Sequence, residues 1–145
     1  MGRIMAIDYG QKRVGIAVTD PLKLIANGLT TVMTHEVFGF LDAYFLEENV
    51  ETLVLGYPKQ MNNQDSESFS FVKQFETAFR RKYSNIPIVY EDERFTSKIA
   101  AQTLVTGGMK KKDRQKKENL DMVSATIILQ SYMERMTLTN EREKE

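Results

Sequence analysis

Three acidic residues lie far apart in the sequence, each at the boundary of a predicted strand or helix. Asp8 ends an apolar strand pattern, Glu93 follows a second one, and Asp121 opens an amphipathic helix pattern. If the fold gathers these carboxylates, they repel one another unless a cation lies between them. Mg²⁺ prefers oxygen ligands of this kind. The three acids therefore predict a site for a divalent cation and, with it, phosphoryl-transfer chemistry.

Each acid also has a purely structural explanation, and the patterns alone do not decide between a structural and a functional role. Asp8 with Gly10 is typical of a simple turn. An acid near a helix N-terminus, such as Asp121, is stabilised by the helix dipole by roughly 0.3–1 kcal/mol. Glu91 and Glu93 have the same strand parity, so we expect both on one face of the sheet, and parity does not choose between them. Asp121 shares its helix face with apolar residues, which favours a carboxylate directed toward the sheet. Those residues are Ala125, Ile128 and Tyr132.

A basic segment lies just before the last predicted helix. Positions 110–117 hold six cationic residues and one acidic residue. Such a segment could bind the phosphates of a nucleic-acid backbone, although a run of charge is more usually a solvated surface. Its place beside Asp121 favours substrate binding. The candidate phosphate-binding lysines are Lys110, Lys111, Lys112, Lys116 and Lys117.

The composition excludes several other kinds of site. The chain of 145 residues has no Cys, which removes disulfides, thiolate metal sites and cysteine nucleophiles, and this fits a reducing cytoplasm. The lone His35 cannot build a zinc site without further nitrogen or sulfur ligands. No apolar run approaches the ~20 residues of a membrane span, so we expect no membrane partner. Because the net charge is zero, nucleic-acid binding would depend on a local basic patch.

The elements that would position these residues form a β-meander followed by alternating strands and helices. Strand patterns run over about 3–8, 13–19, 28–33, 52–56 and 86–90, and helix patterns over about 36–48, after Asp65 or Ser66, from Thr96 or Ser97 to Gly107-Gly108, and over about 118–136. This order predicts an α/β fold with one mixed five-stranded sheet and helices on both faces. The turn residues Gly10, Gly56 and Pro58 follow strand ends, where α/β proteins place their sites. We expect a single domain over 1–138 and a charged, disordered tail over 139–145.

Four motifs occur in order along nearly the whole chain. They are Ile7-Asp8-Tyr9-Gly10 with Arg13-Val14-Gly15-Ile16-Ala17 and Asp20, Val54-Leu55-Gly56-Tyr57-Pro58, Asp92-Glu93-Arg94-Phe95-Thr96-Ser97, and Asp121 with Ser124-Ala125 and Ile128-Leu129. Together they resemble the YqgF/RuvX family of small bacterial proteins, which have an RNase H-like fold. The resemblance implies an acidic metal site made of Asp8, Glu93 and Asp121. It therefore selects Glu93 over Glu91.

The chain departs from the family pattern at a few positions. After Pro58, Gln60 stands where Asn is usual and Asn63 where Gly is usual, and Ser124 replaces a common Ala. Asn tolerates a left-handed backbone better than most residues, so the turn can survive the change. The departure leaves the substrate contacts of this loop open, while the three acids are intact.

The resemblance implies a metal-dependent nuclease that hydrolyses phosphodiester bonds, with the 5′ end of precursor 16S rRNA as its substrate. Holliday-junction resolution, assigned by fold analogy, and a non-catalytic nucleic-acid-binding adaptor are the alternatives. ATPases of the actin and sugar-kinase class also use a strand-Asp-x-Gly hairpin, but 145 residues hold only one such domain. The implied partners are precursor rRNA or branched DNA, with ribosomal precursor particles as the setting. The oligomeric state stays open between a monomer and a weak dimer.

The implied mechanism gives each candidate residue a role. Asp8, Glu93 and Asp121 hold one or two Mg²⁺ or Mn²⁺ ions, so that a water is activated for attack on the phosphodiester and the leaving oxygen is stabilised. Basic residues contact the flanking phosphates. They are Lys12, Arg13 and Arg94 together with Lys110, Lys111, Lys112, Lys116 and Lys117.

Overall fold

The computed structural model of the chain describes residues 2–57, 67–92 and 117–144. Its strands are β1 (Arg3–Tyr9), β2 (Arg13–Thr19), β3 (Ala26–Met33), β4 (Val50–Tyr57) and β5 (Ile88–Asp92), and its helices are α1 (Val37–Glu47), α2 (Glu67–Lys82) and α3 (Lys117–Lys144). A 3₁₀ turn, Thr34–Glu36, precedes α1. Three predicted features lie outside the described residues. They are the loop after Pro58, the capping residues Asp65 and Ser66, and the helix from Thr96 or Ser97 to Gly107-Gly108.

The strands form a mixed sheet in the order β3-β2-β1-β4-β5. Two antiparallel hairpins join β1, β2 and β3, whereas β4 runs parallel to β1, and β5 runs parallel to β4. The mixed five-stranded α/β sheet predicted from the sequence is thereby confirmed. Because β1, β4 and β5 are parallel, their carboxyl ends lie at the same edge of the sheet. Asp8, Gly56 and Glu91 are the residues at or near those ends.

Side chains alternate across the sheet, and each face is covered by helix, as the sequence predicted. The face toward α1 and α2 carries the larger core, which includes Met5, Ile7, Val14, Ile16, Leu53, Leu55, Leu41, Val72, Phe75 and Phe79. The opposite face packs against α3. Its buried residues are Ile4, Ala6, Ala17 and Val54 from the strands and Ala125, Ile128, Leu129 and Tyr132 from α3. The helix face predicted to point toward the sheet is therefore the buried one.

Helix α3 runs 28 residues to Lys144, whereas the sequence predicted an end near position 136. The reason is visible in the composition, because no Gly or Pro follows Met136 and Glu, Arg and Lys are good helix formers. The helix therefore includes most of the segment 139–145 that we expected to be a disordered tail. A domain over 1–138 with a separate tail stays a prediction. Although α3 is long, no helix of the described residues has a stretch apolar enough to cross a membrane.

The smaller differences are at strand ends. β3 begins at Ala26 and not near 28, and β5 begins at Ile88 and not at Ile86. Ile86 donates its backbone N–H to the Tyr83 carbonyl at 3.1 Å, so it closes the turn after α2. Pro87 has no N–H for the ladder, and only its carbonyl takes part, by accepting from Leu53 at 2.9 Å.

Candidate functional site

Asp8 lies near the carboxyl end of β1, on the face of the sheet that α3 covers. Alternation places it on the same face as Ile4 and Ala6, both of which pack in the α3-side core. Its partner across the β1–β2 ladder is Gly15. The carboxylate therefore belongs to the surface where α3 begins to cross the sheet.

Gly15 brings the N-terminal part of α3 against the strands. A Cβ atom added at Gly15 would lie 1.9 Å from the backbone oxygen of Asp121 and 2.4 Å from its carbonyl carbon. Only a residue without a side chain allows the helix backbone to approach this closely. Because Gly15 is paired with Asp8, this contact brings Asp121 and Asp8 to the same place on the sheet.

The Asp121 carboxylate already has a cationic partner. The Nε of Arg13 donates to its Oδ2 at 2.8 Å, and the two side chains are 33% and 29% exposed. Alternation in β2 puts Arg13 on the same face as Gly15. We named Arg13 as a phosphate contact from the sequence, but the structure places it on one of the candidate metal ligands.

Hydrogen bonds of Gly10 and Thr34 fix the turn that carries Lys12 and Arg13. The N–H of Gly10 donates to the Arg13 carbonyl at 3.0 Å, and a Cβ at Gly10 would lie 2.7 Å from that oxygen. Thr34 adds two hydrogen bonds, from its N–H to the Lys12 carbonyl at 2.9 Å and from its Oγ1 to the Gly10 carbonyl at 2.7 Å. Nothing in the sequence singled out Thr34, since its partners lie more than 20 positions earlier.

Glu91 is buried and is used by the fold. It is 1% exposed, accepts from Ser131 Oγ at 3.2 Å and from Arg135 Nε at 3.0 Å, and forms an ion pair with the Arg135 guanidinium. Both partners are on α3, so this carboxylate fixes the helix to β5. The parity argument, that Glu91 and Glu93 share one face, stays a prediction because Glu93 lies outside the described residues. No sequence pattern indicated these partners of Glu91, which lie at least 40 positions away along the chain.

The structure brings two of the three candidate acids together and leaves the third untested. Glu93 lies outside the described residues, as do Arg94, Pro58, Lys110, Lys111, Lys112 and Lys116, and Lys117 is described only as the first residue of α3. Within the described residues, no three His, Cys, Asp or Glu side chains are grouped so that they could hold a metal. Gly56 is buried and paired with Glu91 across the β4–β5 ladder.

The residues present fit a divalent cation that prefers oxygen. Asp8 and Asp121 supply carboxylate oxygens on one face, and the guanidinium of Arg13 shows that this place accepts a positive charge. Both candidate ligands are carboxylates, and the chain has no Cys to supply a thiolate, so the site suits Mg²⁺ or Mn²⁺ better than a thiolate-bound metal.

Comparisons with known proteins agree with this fold. The RuvX family profile, described as "Holliday junction resolvase", matches residues 2–135. A protein of Phocaeicola vulgatus named "Putative pre-16S rRNA nuclease" is 55% identical over 134 residues, covering 92% of this chain and 96% of that protein. A protein of Bacteroides thetaiotaomicron with the same name is 53% identical, covering 92% and 97%.

One solved structure supports the fold independently of sequence identity. Thermus thermophilus RuvC in complex with a Holliday junction substrate is similar with a TM-score of 0.57 and 14% identity, over 94% of this chain and 96% of RuvC. The RNase H-like class expected from the motifs is thereby confirmed. With a family profile over residues 2–135 and relatives more than 50% identical across nearly their whole length, the chain belongs to the RuvX family.

Proposed function

We propose that this chain is a metal-dependent nuclease that hydrolyses phosphodiester bonds in the 5′-end maturation of precursor 16S rRNA. One observation of the structure carries the reaction class. Asp8 and Asp121 are 113 positions apart (121 − 8), but they lie on one face of the sheet because the backbone of Asp121 contacts Gly15, the ladder partner of Asp8. Relatives that are 55% and 53% identical are named for the rRNA substrate.

Asp8, Glu93 and Asp121 would hold the ion or ions, Mg²⁺ or Mn²⁺. A divalent cation held by these residues would supply Lewis-acid chemistry, namely activation of a water and stabilisation of negative charge on phosphate oxygens. The protein's own contribution is to fix the carboxylates on regular elements. β1 presents Asp8 and α3 presents Asp121, both held by packing rather than by a loop.

The basic residues would position the substrate. The turn that carries Lys12 and Arg13 is fixed by Gly10 and Thr34, so it offers a defined anchor for a phosphate flanking the scissile bond. Arg94 and the lysines at 110–112, 116 and 117 are the further phosphate contacts of the proposal. The enzyme would act in the cytoplasm on ribosomal precursor particles.

The test is Mn²⁺-dependent cleavage of a labelled precursor 16S rRNA 5′ leader, run beside a labelled four-way DNA junction. Wild type is compared with Asp8→Asn and with Asp42→Asn. Asp42 is on α1, on the opposite face of the sheet, where it accepts from Lys82 at 3.1 Å. We expect cleavage of the RNA by wild type and Asp42→Asn, and its loss in Asp8→Asn. Full activity of Asp8→Asn would overturn the site.

A second candidate is junction resolution, which the description of the family profile favours. Cleavage of the junction alone would select it. Resolution needs symmetric cuts on two strands and hence a dimer, so sedimentation of the same preparation adds an independent observation. Binding of RNA without cleavage of either substrate would instead select a non-catalytic adaptor.

A further inference from the structure

The ion pair between Arg13 and Asp121 joins residues 108 positions apart. It links the β1–β2 turn to the beginning of the helix that carries a candidate metal ligand. Its geometry is good, with Nε 2.8 Å from Oδ2, and both side chains are partly open to solvent. A partly exposed pair of this kind contributes little to the stability of the fold. Stability alone therefore gives a weak reason for its presence.

We propose that Arg13 is the resident counter-ion of the metal site. In the metal-free protein it neutralises Asp121, and it gives up the carboxylate oxygen when a divalent cation binds. Arg13 then remains at the edge of the site as a positive charge for the substrate phosphate. This inference rests on the proposed function, because it assumes that Asp121 is a metal ligand.

The exchange follows from charge and distance. A Mg²⁺ ion bonds to carboxylate oxygen at about 2.0–2.1 Å, and a guanidinium at 2.8 Å from Oδ2 would lie close enough to repel it strongly. The two cations therefore compete for one carboxylate. Asp8 lies on the same face, across the ladder from Gly15, and adds a second negative charge to this part of the sheet. Arg13 balances part of that charge until a metal binds.

After the exchange, the Arg13 side chain can move only over a short range. The backbone of its turn is held by Gly10 and Thr34, so only the side-chain torsions of Arg13 are available for the exchange. A guanidinium matches phosphate oxygens as well as it matches carboxylate oxygens. The same residue can therefore serve Asp121 before metal binds and the substrate afterwards.

A matched contact exists at the other end of β1. The Nε of Arg3 donates to Glu48 Oε2 at 3.0 Å, with side chains 24% and 40% exposed. This pair has the same chemistry and similar exposure, but Arg3 begins the strand and Asp8 is near its end. It is the internal control for every test of Arg13.

The first experiment observes the arginine Nε–H groups by ¹H–¹⁵N NMR while Mg²⁺ is added to the wild-type protein without nucleic acid. We expect the Arg13 signal to shift and its hydrogen exchange to speed up as the Asp121 contact is lost. The Arg3 signal should stay in place. Metal binding with no change at Arg13 would overturn the inference and leave the proposed function standing. No metal binding at all would overturn the proposed function and the inference together.

The second experiment measures Mn²⁺ affinity by calorimetry for wild type, Arg13→Gln and Arg3→Gln. Because a competing cation is removed, Arg13→Gln should bind Mn²⁺ about two- to fivefold more tightly, the equivalent of a partly exposed ion pair. It should bind the RNA leader more weakly. Arg3→Gln should match wild type in both measurements. Unchanged or weaker Mn²⁺ binding by folded Arg13→Gln would contradict the proposal, and the NMR result stands independently if that variant does not fold.

Discussion

The contact between Gly15 and α3 is so close that the smallest possible substitution should disturb the candidate site. A Cβ at this position would lie 1.9 Å from the Asp121 carbonyl oxygen and 3.1 Å from the Met122 nitrogen. Ordinary contact begins at 3.4 Å, so the helix must retreat by about 1.5 Å (3.4 − 1.9). The colliding atoms belong to the backbone, and no side-chain rotation can relieve the clash.

Gly15→Ala should therefore lower both stability and activity. Inserting a methyl group into a packed interface typically costs about 1–3 kcal/mol. If α3 moves instead, Asp121 moves away from Asp8, and a displacement of about 1 Å in a catalytic group can reduce the rate by about 100-fold. We expect a free energy of unfolding lower by about 1–3 kcal/mol and cleavage of the RNA leader reduced by about two orders of magnitude.

The assay combines urea unfolding with Mn²⁺-dependent cleavage at a temperature where every variant is folded. Gly39→Ala is the matched control, because Gly39 is in α1 and a Cβ there meets nothing within 4 Å. Ala is preferred to Gly in a helix by about 1 kcal/mol, so Gly39→Ala should be more stable than wild type and fully active. A Gly15→Ala protein with wild-type stability and rate would refute the reasoning.

Three further perturbations test other contacts. Glu91→Gln removes the charge from the buried carboxylate on β5 that accepts from Arg135 of α3. It should lower the free energy of unfolding by about 1–2 kcal/mol. A urea midpoint equal to that of wild type would show that this carboxylate does not hold the helix. The hydrogen bond from Tyr83 holds the pKa of Asp42 below its usual 3.8, so its contribution is present above pH 3.8 and is lost as pH falls further through the folded pKa. The stability difference between wild type and Asp42→Ala should shrink in that acidic range, and a difference independent of pH would contradict this. Asp20 accepts from the Ile25 N–H at 2.8 Å, which lowers the pKa of Asp20, and Asp20→Ala should speed amide exchange at Ile25; unchanged exchange would show that the loop is held by other contacts.

The sheet could be predicted because its signals are local. Alternating Val14, Ile16 and Val18 identify a strand, and the apolar run from Thr52 to Leu55 identifies a strand covered on both faces. These patterns depend only on neighbours within a few positions. The five strands and their helical cover followed directly from them.

The site could be predicted only in part, because its contacts are long-range. The sequence marks Asp8 and Asp121 as acids at the ends of a strand and a helix. It does not show that the backbone of α3 approaches Gly15 closely or that Arg13 forms an ion pair with Asp121. Glu91 illustrates the same difficulty, since an acid in a strand pattern has no visible partner when that partner is 44 positions away. The residue types predicted which side chains could take part in chemistry. Which of these side chains contact one another depends on tertiary packing, which the sequence pattern does not show.

Helix α3 connects the two ends of this arrangement as one rigid rod. Asp121 and Arg135 are 14 positions apart (135 − 121), which is about 21 Å along a helix. Near Asp121 the helix is fixed by the close approach at Gly15, and near Arg135 it is fixed by the buried carboxylate on β5. Two points far apart define the direction of a rod much better than either does alone. The positions of Asp8 and Asp121 are therefore set by elements whose geometry is stiff, as the proposed Mg²⁺ site would require.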